Sequence, residues 1–441
     1  MRKLFVVFVL LVLAPVLKSQ EYLQADSLSM LYLTGNYSAL QHIVQKNIRD
    51  GKYLKKSWFF LGKTYENKYR YDSALYCYQQ ALKEDAVDIL LLNNLASAYV
   101  SNRMFSKAVP VYKDILTISP QDIGAKVNLA NIYLKMNNEL PAKNIYLDLI
   151  QQDTSNAYFY SQLAACYQDL NNTDSAQYCL EAAVSINPSD YYSVTKLSTI
   201  YIKKNMPSSG LQITSDYLKS DSSNLAILKL YGYFNLLMDY ADSALAVFNK
   251  AYLMGDSSFM TMKYSGISNY KLGNLAKASE FLEKAYFTDT ADVENLFYLG
   301  ISLGWTYDKA GGIFYLQKIL DIAFPDSKYV ARIYKEIGDL YEGWYRPQQA
   351  LDYYQKALEN DPGETLLLFR LGRIYEDIDK QKALEYFERF LQTRKPGDPG
   401  DVPADETMKE GNTLSPYDIA EKKIKTLREE LFFNGIYQKQ K

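Results

Sequence analysis

The sequence predicts an all-α fold, a solenoid in which helical hairpins stack one on the next. The first observation is a period: from residue 55 onward, the same spacing of apolar and small residues returns every 34 residues. The second is that each period contains two stretches with amphipathic-helix spacing, separated by a short break. The third is composition, because 48% hydrophobic and 23% charged residues are the values of a chain that buries a core.

The first nineteen residues differ from the rest of the chain. Two basic residues precede an apolar run from Leu4 to Leu17, and a polar stretch follows, which is the order of a secretory signal peptide. Because the run is shorter than the roughly 20 residues that cross a bilayer, we predict a signal peptide at residues 1–19, cleaved near Ser19. This predicts export to the periplasm or cell envelope of a Gram-negative bacterium. The bulky Leu17 leaves an alternative open, an uncleaved segment anchored in the inner membrane.

Residues 20–54 are predicted to form a degenerate first repeat that serves as an N-terminal cap. Only the second-helix half of the pattern is present there, in Gly35, Tyr37, Ala39 and Leu40. A tandem array follows at residues 55–392.

The clearest unit of the array covers residues 331–364. Two runs with helical spacing flank a break that carries Pro347, so the unit reads as a helical hairpin. Gly338 and Ala350 are small residues in otherwise bulky apolar faces. We expect the two antiparallel helices to approach each other most closely there, since larger side chains would force them apart.

The pattern resembles the tetratricopeptide repeat, whose signature is a Trp, a Leu-Gly pair, a Tyr, an Ala, an aromatic residue and a final Pro. One unit carries it as Trp58, Leu61, Gly62, Tyr65, Ala74, Tyr78 and Ala81. About eleven units follow the pattern when the degenerate first one is counted. The resemblance implies a right-handed superhelix whose first helices line a concave groove that binds protein or peptide ligands.

The end of the chain departs from the repeat. Residues 393–415 are rich in Pro, Gly and acidic residues and are predicted to form a flexible loop. Residues 416–434 are predicted to form a helix with Ser415 as its N-cap and Asp418 in its first turn. Because terminal repeats otherwise expose an apolar face, we expect this helix to cap the solenoid.

The chain offers little for catalysis or cofactor chemistry. His42 is its only histidine, so neither a histidine-based triad nor a multi-histidine metal centre can be assembled. Residues 62–64 resemble the end of a phosphate-binding loop, but Ser57 stands where that motif needs its first glycine. We therefore predict no catalytic residues, no cofactor, no metal and no small-molecule substrate.

Charge and cysteine content restrict the partners and the redox chemistry. With a net charge of −2, the chain lacks the excess of basic residues that is typical of nucleic-acid-binding proteins. We expect membrane contact only through an uncleaved anchor or a partner. Cys77, Cys166 and Cys179 are interpreted as small core residues, with a bridge between the last two left open.

Two stretches of first-helix residues are candidate binding sites. Asn94, Asn128 and Gln162 hold the same groove-facing place in three successive repeats, with Asn131 nearby. Their amides can donate to and accept from a peptide backbone, an arrangement similar to the asparagine ladder in the repeat region of O-linked N-acetylglucosamine transferases. Asparagine is also common at this place in repeats without such a role.

The second stretch is apolar and covers three middle repeats. Its members are Tyr233, Leu237, Met260, Tyr270, Phe297, Ile301 and Trp305. Exposed apolar patches mark partner sites, whereas burial against neighbouring helices explains the same residues equally well. Farther along, charged residues are expected to line the groove, namely Arg332, Lys335, Arg373, Glu376 and Asp377.

The sequence thus predicts a non-enzymatic scaffold of the cell envelope that holds protein segments in its groove, in the assembly or organisation of a larger complex. The alternative is an accessory or substrate-recruiting subunit of an envelope enzyme or secretion complex.

Overall fold

The computed structural model describes residues 27–322, 326–394 and 415–439. Every regular element in these ranges is an α-helix, which confirms the predicted all-α fold class. The predicted signal peptide at residues 1–19 lies outside the described residues, as does nearly all of the loop predicted at 393–415. None of the described helices combines the length and the apolar character that a bilayer crossing requires.

The chain divides into two compact units, Met1–Asn205 and Met206–Lys441. In the first unit, residues 27–33 are helical and precede ten helices. These are α1 (Tyr37–Arg49), α2 (Leu54–Glu66), α3 (Tyr71–Leu82), α4 (Ile89–Ser101), α5 (Phe105–Ile118), α6 (Ile123–Lys135), α7 (Glu139–Gln152), α8 (Ala157–Asp169), α9 (Thr173–Ile186) and α10 (Tyr191–Lys203). Helices that are consecutive from α1 to α10 pack against each other.

The second unit contains twelve further helices in its described residues. These are α11 (Pro207–Leu218), α12 (Leu225–Leu237), α13 (Ala241–Leu253), α14 (Phe259–Lys271), α15 (Leu275–Tyr286), α16 (Val293–Thr306), α17 (Lys309–Leu320), α18 (Ser327–Gly343), α19 (Pro347–Asn360), α20 (Leu366–Tyr375), α21 (Lys380–Gln392) and α22 (Pro416–Lys439). Consecutive helices again pack together. In addition, α14 contacts α16, and α16 contacts α18. Even-numbered helices from α2 to α20 are the first helices of the repeats.

The turn inside each hairpin repeats with the sequence. Tyr69, Arg103, Asn137 and Asn171 each have a left-handed backbone, with φ between 52° and 56°, and they lie 34 residues apart. In the turn at Arg103, the N–H of Met104 donates to the carbonyl of Tyr99 at 2.8 Å. This is the C-terminal helix cap in which a left-handed residue satisfies the last carbonyls, so local chemistry ends each first helix.

The small residues of the repeat lie where the sequence places them. A Cβ added to Gly338 would stand 2.5 Å from the ring of Tyr354, and one added to Gly62 would stand 2.6 Å from the ring of Tyr78. Both tyrosines are fully buried. The prediction that a small residue marks the closest approach of the two helices is therefore confirmed, and the tyrosine rings fill the space beside it.

Lysines on first helices connect neighbouring repeats. Lys55 pairs with Asp88 at 2.5 Å, and Lys263 pairs with Asp292 at 2.9 Å. In both cases the aspartate is the N-cap of the next first helix. The ion pairs link successive first helices, which are the helices that carry the candidate binding residues.

Helix α22 closes the C-terminal end of the second unit. Ala420, Ile424 and Leu427 are buried in the cluster formed by the helices before it. The N–H of Asp418 donates to Ser415 Oγ at 3.2 Å, and Ser415 N–H donates back to the Asp418 carboxylate at 3.0 Å. The predicted N-cap is confirmed as a reciprocal capping box.

The three cysteines are buried free thiols. Burial raises the pKa of the Cys77 thiol to about 12 and that of Cys179 to about 11. The thiols therefore stay protonated and act as the small core residues that the sequence predicts.

Candidate functional site

The amide row of the first unit lines an open cavity. Asn94 lies on α4, and Asn128 and Asn131 lie on α6; all three contribute to a cavity of about 390 Å³. Asn93 and Ser97 line it as well. The structure thus brings together three of the four predicted amides, and we call this space the amide cavity.

The side-chain amides differ in how many of their polar atoms already have a hydrogen-bond partner within the protein. Tyr146 donates its hydroxyl to Asn131 Oδ1 at 2.6 Å, and Asn131 Nδ2 donates to Tyr158 Oη at 3.0 Å. Asn94 Nδ2 donates to the carbonyl of Leu90 at 2.6 Å, within its own helix. Both polar ends of the Asn131 amide are therefore occupied, whereas none of the described residues donates a hydrogen bond to the Asn94 oxygen.

Asn128 is linked to the wall of the amide cavity. Its side chain hydrogen-bonds to Tyr112, which also lines the cavity. Burial raises the pKa of Tyr112, and the hydrogen bond from Asn128 opposes part of that rise. The Tyr112 hydroxyl therefore stays protonated at physiological pH, and Lys135 is the one basic residue among those that line the cavity, none of which is acidic.

The fourth predicted residue, Gln162, lies apart from the other three. It lines a second cavity of about 250 Å³ together with Tyr158, Ser161 and Tyr192. Tyr158 connects this cavity with the amide cavity, because its hydroxyl accepts a hydrogen bond from Asn131. The rings of Tyr158 and Tyr192 remain 43% and 38% exposed, which makes them available to a ligand.

Sequence reasoning missed these two tyrosines. Tyr158 and Tyr192 stand four residues before Gln162 and Lys196, so they share the side of their helices that carries the predicted amide row. Leu90 holds the same place on α4 and is 60% exposed. The signal that could have found these residues is their position in the sequence, four residues before the places of the predicted amide row.

On α6 the same place is occupied by Gly124. An added Cβ there would approach only an Asp122 oxygen, at 3.3 Å. Without a side chain at this position, the amide cavity stays uncovered between Leu90 on one side and Tyr158 on the other. The site is therefore an open surface of amides edged by apolar side chains.

The apolar residues predicted in the second unit have different environments. Phe297 and Ile301 are 3% and 4% exposed and belong to the core formed with α17 and α18. Leu237 and Trp305 are 41% and 44% exposed. Phe297 and Ile301 are thus explained by burial against neighbouring helices. Neither side chain is accessible to a partner.

The remaining three predicted residues, Tyr233, Met260 and Tyr270, are half-buried. Tyr233 packs on Tyr264 with ring centroids 4.9 Å apart, and Tyr270 packs on Tyr298 at the same distance. These contacts join neighbouring first helices, so much of the aromatic surface is used in stacking the repeats.

The charged end of the second unit contains a polar network. Tyr354 donates its hydroxyl to Asp339 and Glu342, both at 2.6 Å, and Arg370 on α20 pairs with Asp339 on α18. Burial raises the pKa of Asp339, and the Arg370 guanidinium opposes that rise. The network joins α18, α19 and α20 and leaves its members little freedom to bind a ligand.

Metal chemistry has no support in the described residues. Across residues 27–322, 326–394 and 415–439, no group of three or more histidine, cysteine and carboxylate side chains is arranged to hold an ion.

Two family models match parts of the chain. A tetratricopeptide-repeat model matches residues 338–399. The model of the ChAPs, or Chs5p-Arf1p-binding proteins, matches residues 37–215. None of the curated proteins matches the chain significantly.

Solved structures to which this chain is similar include the following three. A MamA crystal structure is 18% identical, covers 38% of this chain and 92% of its own, and has a TM-score of 0.35. A tetratricopeptide-repeat protein from Parabacteroides merdae is 13% identical, with 57% and 99% covered and a TM-score of 0.38. The APC/C hetero-tetramer Cut9-Hcn1 is 13% identical, with 92% and 98% covered and a TM-score of 0.43.

Proposed function

We propose that this chain, a tetratricopeptide-repeat protein, is a non-enzymatic scaffold that binds an extended segment of a partner protein along the first helices of its first unit. The observation that carries the proposal is the amide cavity, where Asn94 and Asn128 from successive repeats line one open space. Repeats of this type serve protein–protein interaction, and the ChAPs carry a name that states protein partners.

The chemistry of the cavity suits a polypeptide backbone. An extended peptide presents one N–H donor and one carbonyl acceptor per residue, and each needs a partner once it leaves water. A side-chain amide supplies a donor and an acceptor together. Asn131 is held at both polar ends of its amide by Tyr146 and Tyr158, whereas Asn94 and Asn128 each make one hydrogen bond within the protein. We therefore assign the amides of Asn93, Asn94 and Asn128 to backbone contacts.

The exposed apolar edge suits the side chains of such a segment. Leu90, Tyr158 and Tyr192 lie beside the cavities and present 60%, 43% and 38% of their surface. Tyrosine gives a large contact area for little loss of conformational freedom. We expect partner residues that point toward this edge to be apolar.

The place of action belongs to the same proposal. The composition of residues 1–19 supports export, and we propose that the scaffold works in the envelope of a Gram-negative bacterium, in the assembly of a larger complex. An accessory subunit of an envelope enzyme would use the same binding surface.

Removing the amides tests the proposed function. A photo-crosslinking amino acid placed at Ser97, an exposed residue of the amide cavity, should form adducts with the partner in intact cells. In the double variant Asn94→Ala/Asn128→Ala we expect these adducts to fall about tenfold or more, because two hydrogen bonds contribute about 1 kcal/mol each.

Two controls accompany the crosslinking. Gln151→Ala removes an exposed amide from the second helix α7 and should leave the adducts unchanged. Far-ultraviolet circular dichroism should show equal helix content in all variants. Adducts that persist at wild-type level in the double variant would contradict an amide-based site.

A further inference from the structure

Several charged side chains of the second unit pair with residues of a neighbouring repeat. Lys263 pairs with Glu294 at 2.8 Å, and Lys335 lies 4.0 Å from Glu364. Asp339 is satisfied by Arg370 and Tyr354, as described above. Paired charges of this kind are explained by the packing of the repeats.

Glu336 on helix α18 lacks such a pairing. It is half-buried, and among the described residues it makes no hydrogen bond and no ion pair. Two cations of its own helix are engaged elsewhere: Arg332 lies over the ring of Phe297 at 4.5 Å from the ring centroid, and Lys335 lies 4.0 Å from Glu364. A carboxylate partly removed from water without a hydrogen bond or an ion pair costs free energy. The charges of Lys335, Arg332 and Arg370 offset that cost only in part, because the pKa of Glu336 stays raised.

The position of Glu336 in the repeat is the one that the amides occupy in the first unit. It follows Tyr298 by 38 residues, which is one 34-residue period plus the four-residue insertion before α18. It therefore holds the same repeat place as Asn94 and Asn128, which line the amide cavity. The side of the hairpin that carries amides in the first unit carries an acid here.

Aromatic rings lie beside this acid. Tyr270 and Tyr298 pack at 4.9 Å between ring centroids, both are half-buried, and the charge of Glu336 acts on the Tyr270 hydroxyl. An acid next to aromatic faces is the combination that binds a cationic side chain, through an ion pair and through the ring quadrupoles.

We propose that Glu336, together with the rings of Tyr270 and Tyr298, binds a lysine or arginine side chain of a partner polypeptide. The inference rests on the proposed function, since it assumes a polypeptide ligand, and it adds a requirement for a basic residue. We call this place the cation site.

The ionisation of Glu336 gives the cation site a pH dependence. Burial and the neighbouring Asp339 raise the pKa of Glu336 to about 7, against the opposing effect of Arg332, Lys335 and Arg370. Tyr270 on α14 is close enough for the charge of Glu336 to act on its hydroxyl, and burial raises the pKa of that hydroxyl. A bound cation favours the carboxylate, so binding should be strongest above about pH 7 and should weaken as Glu336 takes up its proton.

The ionisation of Glu336 also makes the stability of the unliganded protein depend on pH. Because the folded-state pKa is raised, the folded state loses stability as pH rises from the ordinary value of 4.5 through about 7. Glu336→Gln removes this loss. The variant should therefore unfold at a higher temperature than the wild type at about pH 8 and at the same temperature near pH 4.

The binding experiment uses the full chain and two fluorescent peptides, one of alternating lysine and alanine and one in which every lysine is acetylated. By fluorescence anisotropy at about pH 8, the wild type should prefer the lysine peptide, and Glu336→Gln should reduce that preference about tenfold, the worth of one charge-assisted hydrogen bond. At about pH 6 the wild-type preference should shrink, and the variant should show little change.

Glu359→Gln is the matched control, because it removes one exposed acid from helix α19 of the same unit. It should leave the preference unchanged, which separates the cation site from general attraction of lysine to an acidic surface. Equal preference in the wild type and in Glu336→Gln would overturn the cation site, as would a wild type that binds neither peptide. Crosslinking at Ser97 reports on the first unit independently, so this failure would leave the proposed function standing.

Discussion

Replacing Gly312 by alanine is expected to lower the free energy of unfolding of the second unit by about 3 kcal/mol. A Cβ at Gly312 would stand 2.6 Å from the carbonyl oxygen of Gly300 and 2.6 Å from the Cα of Gly304. Both contacts are with backbone atoms of α16, so no side-chain rotation can relieve them. The methyl group can be accommodated only if α16 and α17 move apart, which opens the core around Phe297 and Leu316.

Urea unfolding followed by circular dichroism measures this effect. Gly124→Ala is the matched control, because Gly124 is also a helical glycine but meets only an Asp122 oxygen at 3.3 Å. Alanine is favoured over glycine in a helix by about 1 kcal/mol, so the control should be neutral or slightly stabilising. If Gly312→Ala behaves like Gly124→Ala, the two helices do not approach as closely as described.

Replacing Arg370 by methionine is expected to destabilise the second unit by about 2 kcal/mol. The change leaves Asp339 without its cation, while Glu342 and Tyr354 still surround that carboxyl group. Breaking a fully buried pair costs about 3 to 5 kcal/mol, and the smaller value follows because the Arg370 side chain is 34% exposed.

The loss should depend on pH in a defined direction. Burial already raises the pKa of Asp339, and removing Arg370 raises it further. The penalty is therefore full where Asp339 is ionised, and it shrinks as pH falls and the carboxyl group takes up a proton. The double variant Asp339→Asn/Arg370→Met should recover most of the lost stability at neutral pH.

Arg428→Met is the surface counterpart for this measurement. Arg428 also pairs with a carboxylate, Glu388 at 2.7 Å, but its side chain is 64% exposed. We expect a change of about 0.5 kcal/mol or less, independent of pH over the range in which Asp339 titrates. Equal effects of Arg370→Met and Arg428→Met would show that the Asp339 network contributes no more than a surface ion pair.

The repeat could be predicted because its signals are local. Helix ends follow from the left-handed residue that recurs at Arg103 and Asn137, and the last helix begins where Ser415 and Asp418 cap it. The close approach at Gly338 follows from the same register. Each of these features depends on residues within one hairpin, so the order of residues is sufficient to identify it.

The candidate site was predictable only in part. Asn94, Asn128 and Asn131 do line one cavity, because residues one period apart occupy equivalent places on stacked helices. Phe297 and Ile301 occupy first-helix places too, yet α17 and α18 cover them. The period identifies the face of a helix, and it does not say whether a neighbouring helix covers that face.

By itself, the sequence determined the all-α class, the 34-residue hairpin and the amide row of this protein. The tertiary structure alone decided that Asn131 is held by Tyr146 and Tyr158, and that Glu336 has no partner among the described residues. The physical reason is that these properties depend on distances between side chains from different repeats. Stacking sets those distances, whereas the pattern within one repeat sets only the helices and their turns.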